Sequence, residues 1–315
     1  MRLKKFHRFN PVYWSILIFI VAQILTFIVI VHEDLFLEKN NIYVPAQPSE
    51  GVLLWPGPTT SPSGEITQTP AYSALGPILI YFFAVVIILG VVLFLVPVSV
   101  LKLILRALFA FLFGWGIFVI LILWLPLAVT LAFALTVALG WFFLPRVWLH
   151  NLAMILAMVS VGAVFGRMIS PWTAMVLLLA LSIYDFLAVR FGYMVWMAKK
   201  MSDSNTLPAF FIPRSILEWN NSLKESSVTR LMEQKSIDRK YSILGGGDIA
   251  FPLLLASATY FARGFYPALL VAVFALAGLI AAYWIQARFL KGKAMPALPP
   301  IAALSLIGLT IVWFS

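Results

Sequence analysis

The chain has 315 residues, 63% of them hydrophobic and 11% charged, with 22 Lys or Arg against 12 Asp or Glu and a net charge of +10. Soluble domains carry roughly 25% charged residues, and no water-soluble core of this size uses so many apolar side chains, so a globular cytosolic enzyme is excluded. Apolar runs of about 20 residues are membrane spans, and the composition is that of a polytopic membrane protein.

The same inventory removes several chemistries. The absence of cysteine excludes a disulfide framework, a thiolate nucleophile and cysteine-ligated metal. His7, His32 and His150 lie at or near the ends of apolar runs, and no H-E-x-x-H pair exists, so an intramembrane zinc hydrolase is unsupported. There is no G-x-S-x-G to suggest a serine hydrolase. The excess of positive charge fits a membrane topology better than nucleic acid, and no nucleic-acid partner is expected.

Apolar runs of spanning length fall at 12–31, 75–98, 103–123, 126–145, 150–169, 171–198, 244–262, 265–287 and 297–314. The third and fourth form one stretch too long for a single crossing, with Trp124-Leu125-Pro126 as the turn. The first run follows a basic stretch, as in a signal peptide. It is longer than a signal h-region, however, and no A-x-A-like site follows, so it is expected to be retained.

Nine spans with the N-terminus inside put 18 Lys or Arg on inner segments and leave Lys39, Arg167 and Arg263 outside, with Arg190 near the end of span six. The positive-inside rule favours this arrangement. The expected architecture is all-α, with nine transmembrane helices, a cytoplasmic N-terminus, an outside C-terminus, and a multi-pass place in the cell membrane. Segment 32–74, rich in Pro, Thr and Ser, is expected to be an irregular outer loop. The charged segment 199–243 is expected to be a cytoplasmic loop with an amphipathic helix near 213–235. It divides a six-helix part (1–198) from a three-helix part (244–315). No internal repeat of a kind common in transporters is evident.

Ten of the twelve acids lie in these two loops. Asp185 in span six and Asp248 in span seven are the only acids inside apolar spans. An ionisable group in a span costs several kcal/mol and is by default a functional-site candidate. An ion pair of Asp185 with Arg190 is disfavoured, because five residues turn a helix by about 500° and leave the side chains about 140° apart. Both aspartates fall in the inner half of the bilayer, on consecutive antiparallel spans, so one carboxyl can face the other. Two such carboxyls share a proton. One takes a proton from water while the other protonates a carbonyl, which is the aspartic-protease reaction moved into a membrane. The same pair could instead relay protons or bind a cation in a channel or transporter.

Asp185 follows Tyr184, Asp248 ends Gly245-Gly246-Gly247-Asp248, and Pro296-Ala297-Leu298-Pro299 opens the last span. This trio, in this order and on spans six, seven and nine, resembles the G-x-G-D intramembrane aspartyl proteases, presenilin and signal peptide peptidase. It is similar to the archaeal presenilin homologues in particular. The resemblance is close over about 171–315 and extends to the N-terminal spans only in number and topology.

The resemblance implies that Asp185 and Asp248 are the catalytic dyad of an aspartic endopeptidase that needs no metal or organic cofactor. Its substrates would be transmembrane proteins, cleaved in or near their membrane segments within the lipid bilayer, and homo-oligomerisation is left open. It also assigns Pro296, Ala297 and Leu298 to substrate positioning. Pro296 and Pro299 lack backbone donors, so this stretch is expected to leave carbonyls for an extended substrate. Gly245 and Gly247 permit close approach and local unwinding. Gly246 stands where the family often has a larger residue and is expected to loosen the turn. Tyr184 either donates a hydrogen bond near the dyad or packs as an ordinary aromatic.

Overall fold

The structure is a computed structural model that describes residues 10–41, 58–60, 66–68, 74–192, 206–223, 240–289 and 295–314. Among these residues there are nine α-helices: α1 (Pro11–Lys39), α2 (Leu75–Leu95), α3 (Val98–Leu121), α4 (Leu127–Phe143), α5 (Val147–Met168), α6 (Pro171–Arg190), α7 (Gly247–Arg263), α8 (Phe265–Phe289) and α9 (Leu298–Phe314). Six of them, α1, α2, α3, α5, α6 and α8, are long and apolar enough to cross a membrane. The other three have 17 residues each, about 26 Å at 1.5 Å per residue, slightly short of a hydrocarbon core of about 30 Å.

Local chemistry sets several helix starts. The Asn10 side chain accepts the Val12 amide and Pro11 occupies the first turn of α1. Ser170 caps α6 by accepting the Thr173 amide, again with proline next in sequence. A side-chain oxygen satisfies an orphan helix donor, and proline has no amide to orphan. The break between α3 and α4 falls at residues 122–126, where Trp124-Leu125-Pro126 was expected to turn the chain.

Two expectations for the loops are corrected. Segment 32–74 is not irregular throughout: α1 continues through Glu33, Asp34 and Glu38, and β1 (Pro58–Thr60) pairs antiparallel with β2 (Ile66–Gln68). The helical extension is held by side chains. His32 Nε2 lies 3.1 Å from the Leu123 carbonyl and its ring stacks on Trp124, while Arg167 of α5 bonds both Glu33 and Asp34. In the described part of 213–235 there is no amphipathic helix, only a single 3-10 turn at Ile216–Asn220. Residues 224–235 of that expected helix, and residues 193–198 of the sixth expected span, lie outside the described residues.

Helix α5 is the centre of the packing, in contact with α1, α3, α4 and α7. It carries Gly162-x-x-x-Gly166, whose small residues let α7 come close. A Cβ on Gly166 would stand 2.4 Å from Ser257 Cβ and 3.1 Å from the Ala258 amide nitrogen, both on α7. Opposite, a Cβ on Gly116 of α3 would meet Ala157 Cα of α5 at 2.6 Å. The pair α8 and α9 is built the same way around Gly278, whose Cβ would lie 2.5 Å from Ile301 Cα.

The 199–243 region also contributes strands. β3 (Ala209–Pro213) pairs antiparallel with β4 (Tyr241–Gly245), and β4 runs straight into α7. β3 is buried along its whole length. The far edge of β3 is closed by α5 side chains: Asn151 Nδ2 donates to the Phe211 carbonyl at 2.7 Å, and Asn151 Oδ1 accepts the Phe211 amide at 3.0 Å. His150 Nε2 lies 3.0 Å from the Ala209 carbonyl.

The close α5–α7 approach leads to a stability prediction. Gly166→Val is expected to destabilise the protein by about 1–3 kcal/mol, the usual cost of overpacking, read as a lowered unfolding midpoint in detergent. An unchanged midpoint would mean that α5 and α7 do not pack through this glycine.

Candidate active site

Asp185 lies in the last two turns of α6, and Asp248 is the second residue of α7. Helix α6 packs against both α7 and α9. Asp185 is 6% exposed, and its Oδ2 is buried without a hydrogen-bond partner among the described residues. Asp248 is partly exposed, and the two carboxyls are near enough to interact electrostatically. Asp185 makes no ion pair with Arg190, which is exposed at the end of α6. The two acids therefore lie within electrostatic reach of each other, one on α6 and one on α7.

The turn into α7 is shaped by its glycines, each differently. A Cβ on Gly245 would come within 2.9 Å of Asp248 Oδ2, so this glycine is the surface against which the carboxyl rests. Its backbone amide is directed at the same carboxyl. Gly246 does not loosen the turn as expected. A Cβ there would meet Met158 Cε at 2.3 Å and the Pro208 carbonyl oxygen at 2.9 Å, and the Gly246 amide bonds that carbonyl at 3.0 Å. The turn is clamped, and the glycine is needed for space. Gly247 has more room, since a Cβ there would touch only the Phe251 ring at 3.4 Å. One turn on, Pro252 removes the amide that would take the Asp248 main-chain carbonyl.

Of Pro296, Ala297 and Leu298, it is Leu298 that lies beside Asp185. The Leu298 amide is adjacent to the Asp185 carboxyl. The Leu298 side chain is buried with Leu177, Leu178 and Leu181 of α6 and Leu254 and Leu255 of α7. The expectation of free carbonyls holds only in part. The Ala297 carbonyl accepts the Ile301 amide at 3.5 Å, inside α9. Pro299 and Pro300 lack the amides that would serve Met295 and Pro296, so those two carbonyls have no α-helical donor. Tyr184, next to Asp185 on α6, is partly exposed and engaged in an interaction of its own.

Sequence reasoning missed the residues that hold these acids in place. Asn151 and His150 anchor β3, and Gly162-x-x-x-Gly166 seats α7, a spacing visible in the sequence. At its far end α7 is tied by two arginines. The Arg167 guanidinium lies 4.0 Å over the Phe261 ring, and that of Arg263 lies 4.0 Å over Trp313 of α9 while donating to the Val312 carbonyl. The Tyr283 hydroxyl of α8 lies beside Ser15 of α1 and within electrostatic reach of Asp248. Among the described residues, no group of His, Cys, Asp or Glu is arranged to hold a metal ion.

Comparison with known proteins gives the family and the fold. The family model described as signal-peptide peptidase, presenilin aspartyl protease matches residues 61–314, further toward the N-terminus than the motifs alone indicated. Two solved structures of a presenilin family intramembrane aspartate protease, in C222 and P2 space groups, are similar in fold. The first gives a TM-score of 0.57 at 17% identity, covering 97% of this chain and 99% of the other. The second gives 0.55 at 18% identity, over 97% and 98%. Comparison with curated protein sequences finds no match. The chain is a multi-pass membrane protein that belongs to the signal-peptide peptidase and presenilin family, and its enzyme class is aspartic endopeptidase.

Proposed function

We propose that the protein hydrolyses peptide bonds in or near the transmembrane segments of membrane proteins, with Asp185 and Asp248 as its acid and base. The observation that carries this reading is the pair itself: two acids on packed helices, within electrostatic reach of each other. The ionised carboxyl takes a proton from water as the oxygen attacks the scissile carbonyl carbon. The protonated carboxyl gives its proton to the carbonyl oxygen, forming a gem-diol. Collapse of the diol breaks the C–N bond, the leaving nitrogen gains a proton, and the dyad returns to its starting state. No metal or organic cofactor enters this sequence.

Hydrolysis needs an extended substrate, and the edge of β4 suits one. Both polar atoms of the Phe211 main chain are bonded to Asn151, so Phe211 faces away from β4. Its register partner Ile243 must then face away from β3, with its amide and carbonyl on the outer edge of β4. Ile243 is 38% exposed. The Asp248 carboxyl rests against Gly245, two residues or about 7 Å further along. A peptide adding itself to β4 at Ile243 would continue past the acids, toward Met295 and Pro296, whose carbonyls have no α-helical donor.

The same reading takes the nine helices as nine crossings of the cell membrane, with the N-terminus inside and the C-terminus outside, an orientation that suits type I substrates. Residues 1–198 and 244–315 are the two helical parts. Segment 199–243 joins them and supplies β3 and most of β4. Tyr184, Gly245, Gly247 and Pro296 to Leu298 shape the site around the dyad.

With purified protein and a transmembrane peptide, Asp185→Asn and Asp248→Asn are each expected to abolish cleavage, and a hydroxyl-containing transition-state mimic to block it. Cleavage surviving either substitution would sink the assignment, and cation flux in liposomes from a cleavage-dead variant would favour a channel. Gly245→Ala is expected to lower kcat by roughly tenfold or more by displacing the Asp248 carboxyl, a loss of about 1.4 kcal/mol, while Gly247→Ala keeps most of the activity. Equal effects would show that space at Gly245 is not what matters. Ile243→Pro removes an outward amide without breaking a β3–β4 bond. It is expected to raise KM with little change in the unfolding midpoint, and an unaltered KM would exclude strand addition at β4.

A further inference from the structure

Where α4 ends and α5 begins there is a second feature, whose lining includes neither acid. A cleft of about 420 Å³ is lined by Arg106, Phe143, Leu144, Pro145, Arg146, Asn220 and Ser222. Arg106 comes from α3, with its guanidinium 5.2 Å over the Phe142 ring. Arg146 donates from Nη1 to Asn220 Oδ1 at 2.6 Å. Neither guanidinium pairs with a carboxylate among the described residues. Among the described residues no acid lines the cleft. Two cations, one from α3 and one from the N-cap of α5, meet a lining that is otherwise neutral among the described residues.

The rim has a different character. Phe143 is 68% exposed and Leu144 63% exposed, and both project from the same end of α4 that carries Phe142. Leu103 and Ile104 of α3 and Leu139 of α4 are also exposed nearby in sequence, as expected of side chains against acyl chains. A cleft with a cationic floor and an apolar lip at this depth matches one ligand class: a phosphodiester attached to hydrocarbon.

We propose that this cleft binds the headgroup of an anionic phospholipid, with Arg106 and Arg146 on the phosphate oxygens and Asn220 and Ser222 beside them. Guanidinium groups present forked donors that match a phosphate better than lysine ammonium does. The cleft is also the base of the β3–β4 sheet. Arg146 forms a β-bridge with Ser222, the Val147 amide bonds the Asn221 carbonyl at 3.0 Å, and Asn221 Nδ2 donates to the Tyr241 hydroxyl at 3.0 Å. Tyr241 opens β4. A lipid held here touches the segment that supports the strand leading to Asp248. The binding claim goes beyond the protease reading and does not depend on it.

The test is native mass spectrometry of the detergent-purified full chain titrated with phosphatidylglycerol, with phosphatidylcholine and inorganic phosphate as separate arms. Phosphatidylglycerol is expected to bind in preference to phosphatidylcholine and to resist displacement by millimolar inorganic phosphate. The double variant R106Q/R146Q is expected to weaken that binding by roughly tenfold or more, since each basic residue near a membrane surface contributes measurably. R288Q, with a single charge removed at the exposed end of α8, is expected to bind as wild type does. Because Arg146 also holds Asn220, R106Q alone serves as the second variant, and its loss of affinity must be evident at an unchanged unfolding midpoint. Equal binding by wild type and R106Q, equal affinity for the two lipids, or displacement by phosphate would each overturn the proposal.

Discussion

A backbone amide or carbonyl inside a membrane protein must find a partner within the protein, because the hydrocarbon offers none. Helices meet this demand internally, but a two-stranded sheet has two open edges. Here the edge of β3 is closed by Asn151, whose side-chain amide presents one donor and one acceptor as a neighbouring strand would, and by His150 at Ala209. Everything about the site follows from where that closure stops. Because α5 occupies one edge, the edge of the sheet left without a strand partner among the described residues is the one on β4, and β4 ends against the Asp248 carboxyl.

The position of Asp248 is then over-determined. β4 holds the near end of α7, Gly162 and Gly166 seat its middle against α5, and Arg167 and Arg263 tie its far end to aromatic rings and to α1 and α9. Asp185 is fixed more simply, by the packing of α6 leucines against α7 and Leu298. A reaction that demands two acids at a defined separation tolerates little drift, and fixing one helix at three points along its length supplies that rigidity without a rigid loop.

Much of this was legible in the sequence because charge is scarce in it. Asp185 and Asp248 stand out among apolar residues, and Trp124-Leu125-Pro126 marks its turn by proline. The strands were not legible. Ala209–Pro213 and Tyr241–Gly245 are five residues each, their partners are about 30 residues apart, and their apolar character reads equally well as the edge of a span. Nor does an asparagine at 151 announce that it will stand in for a strand, since that depends on a tertiary contact. The glycines show the limit in another form. Gly246 reads as a source of looseness from its residue type, yet Met158 and the Pro208 carbonyl leave room for nothing else. Glu33 and Asp34 look like loop acids until Arg167, 133 and 134 residues away, draws them onto an extended helix.

The closure of β3 has one more consequence, for the enzyme's own survival. A protease that keeps an extended strand of itself beside its acids offers itself as a substrate. Cleavage requires the target carbonyl to accept a proton and its carbon to meet water. In β3 the Ala209 and Phe211 carbonyls already accept bonds from His150 and Asn151, and the strand is buried along its length. The side chains that close the edge of β3 therefore also make that strand an unattractive target.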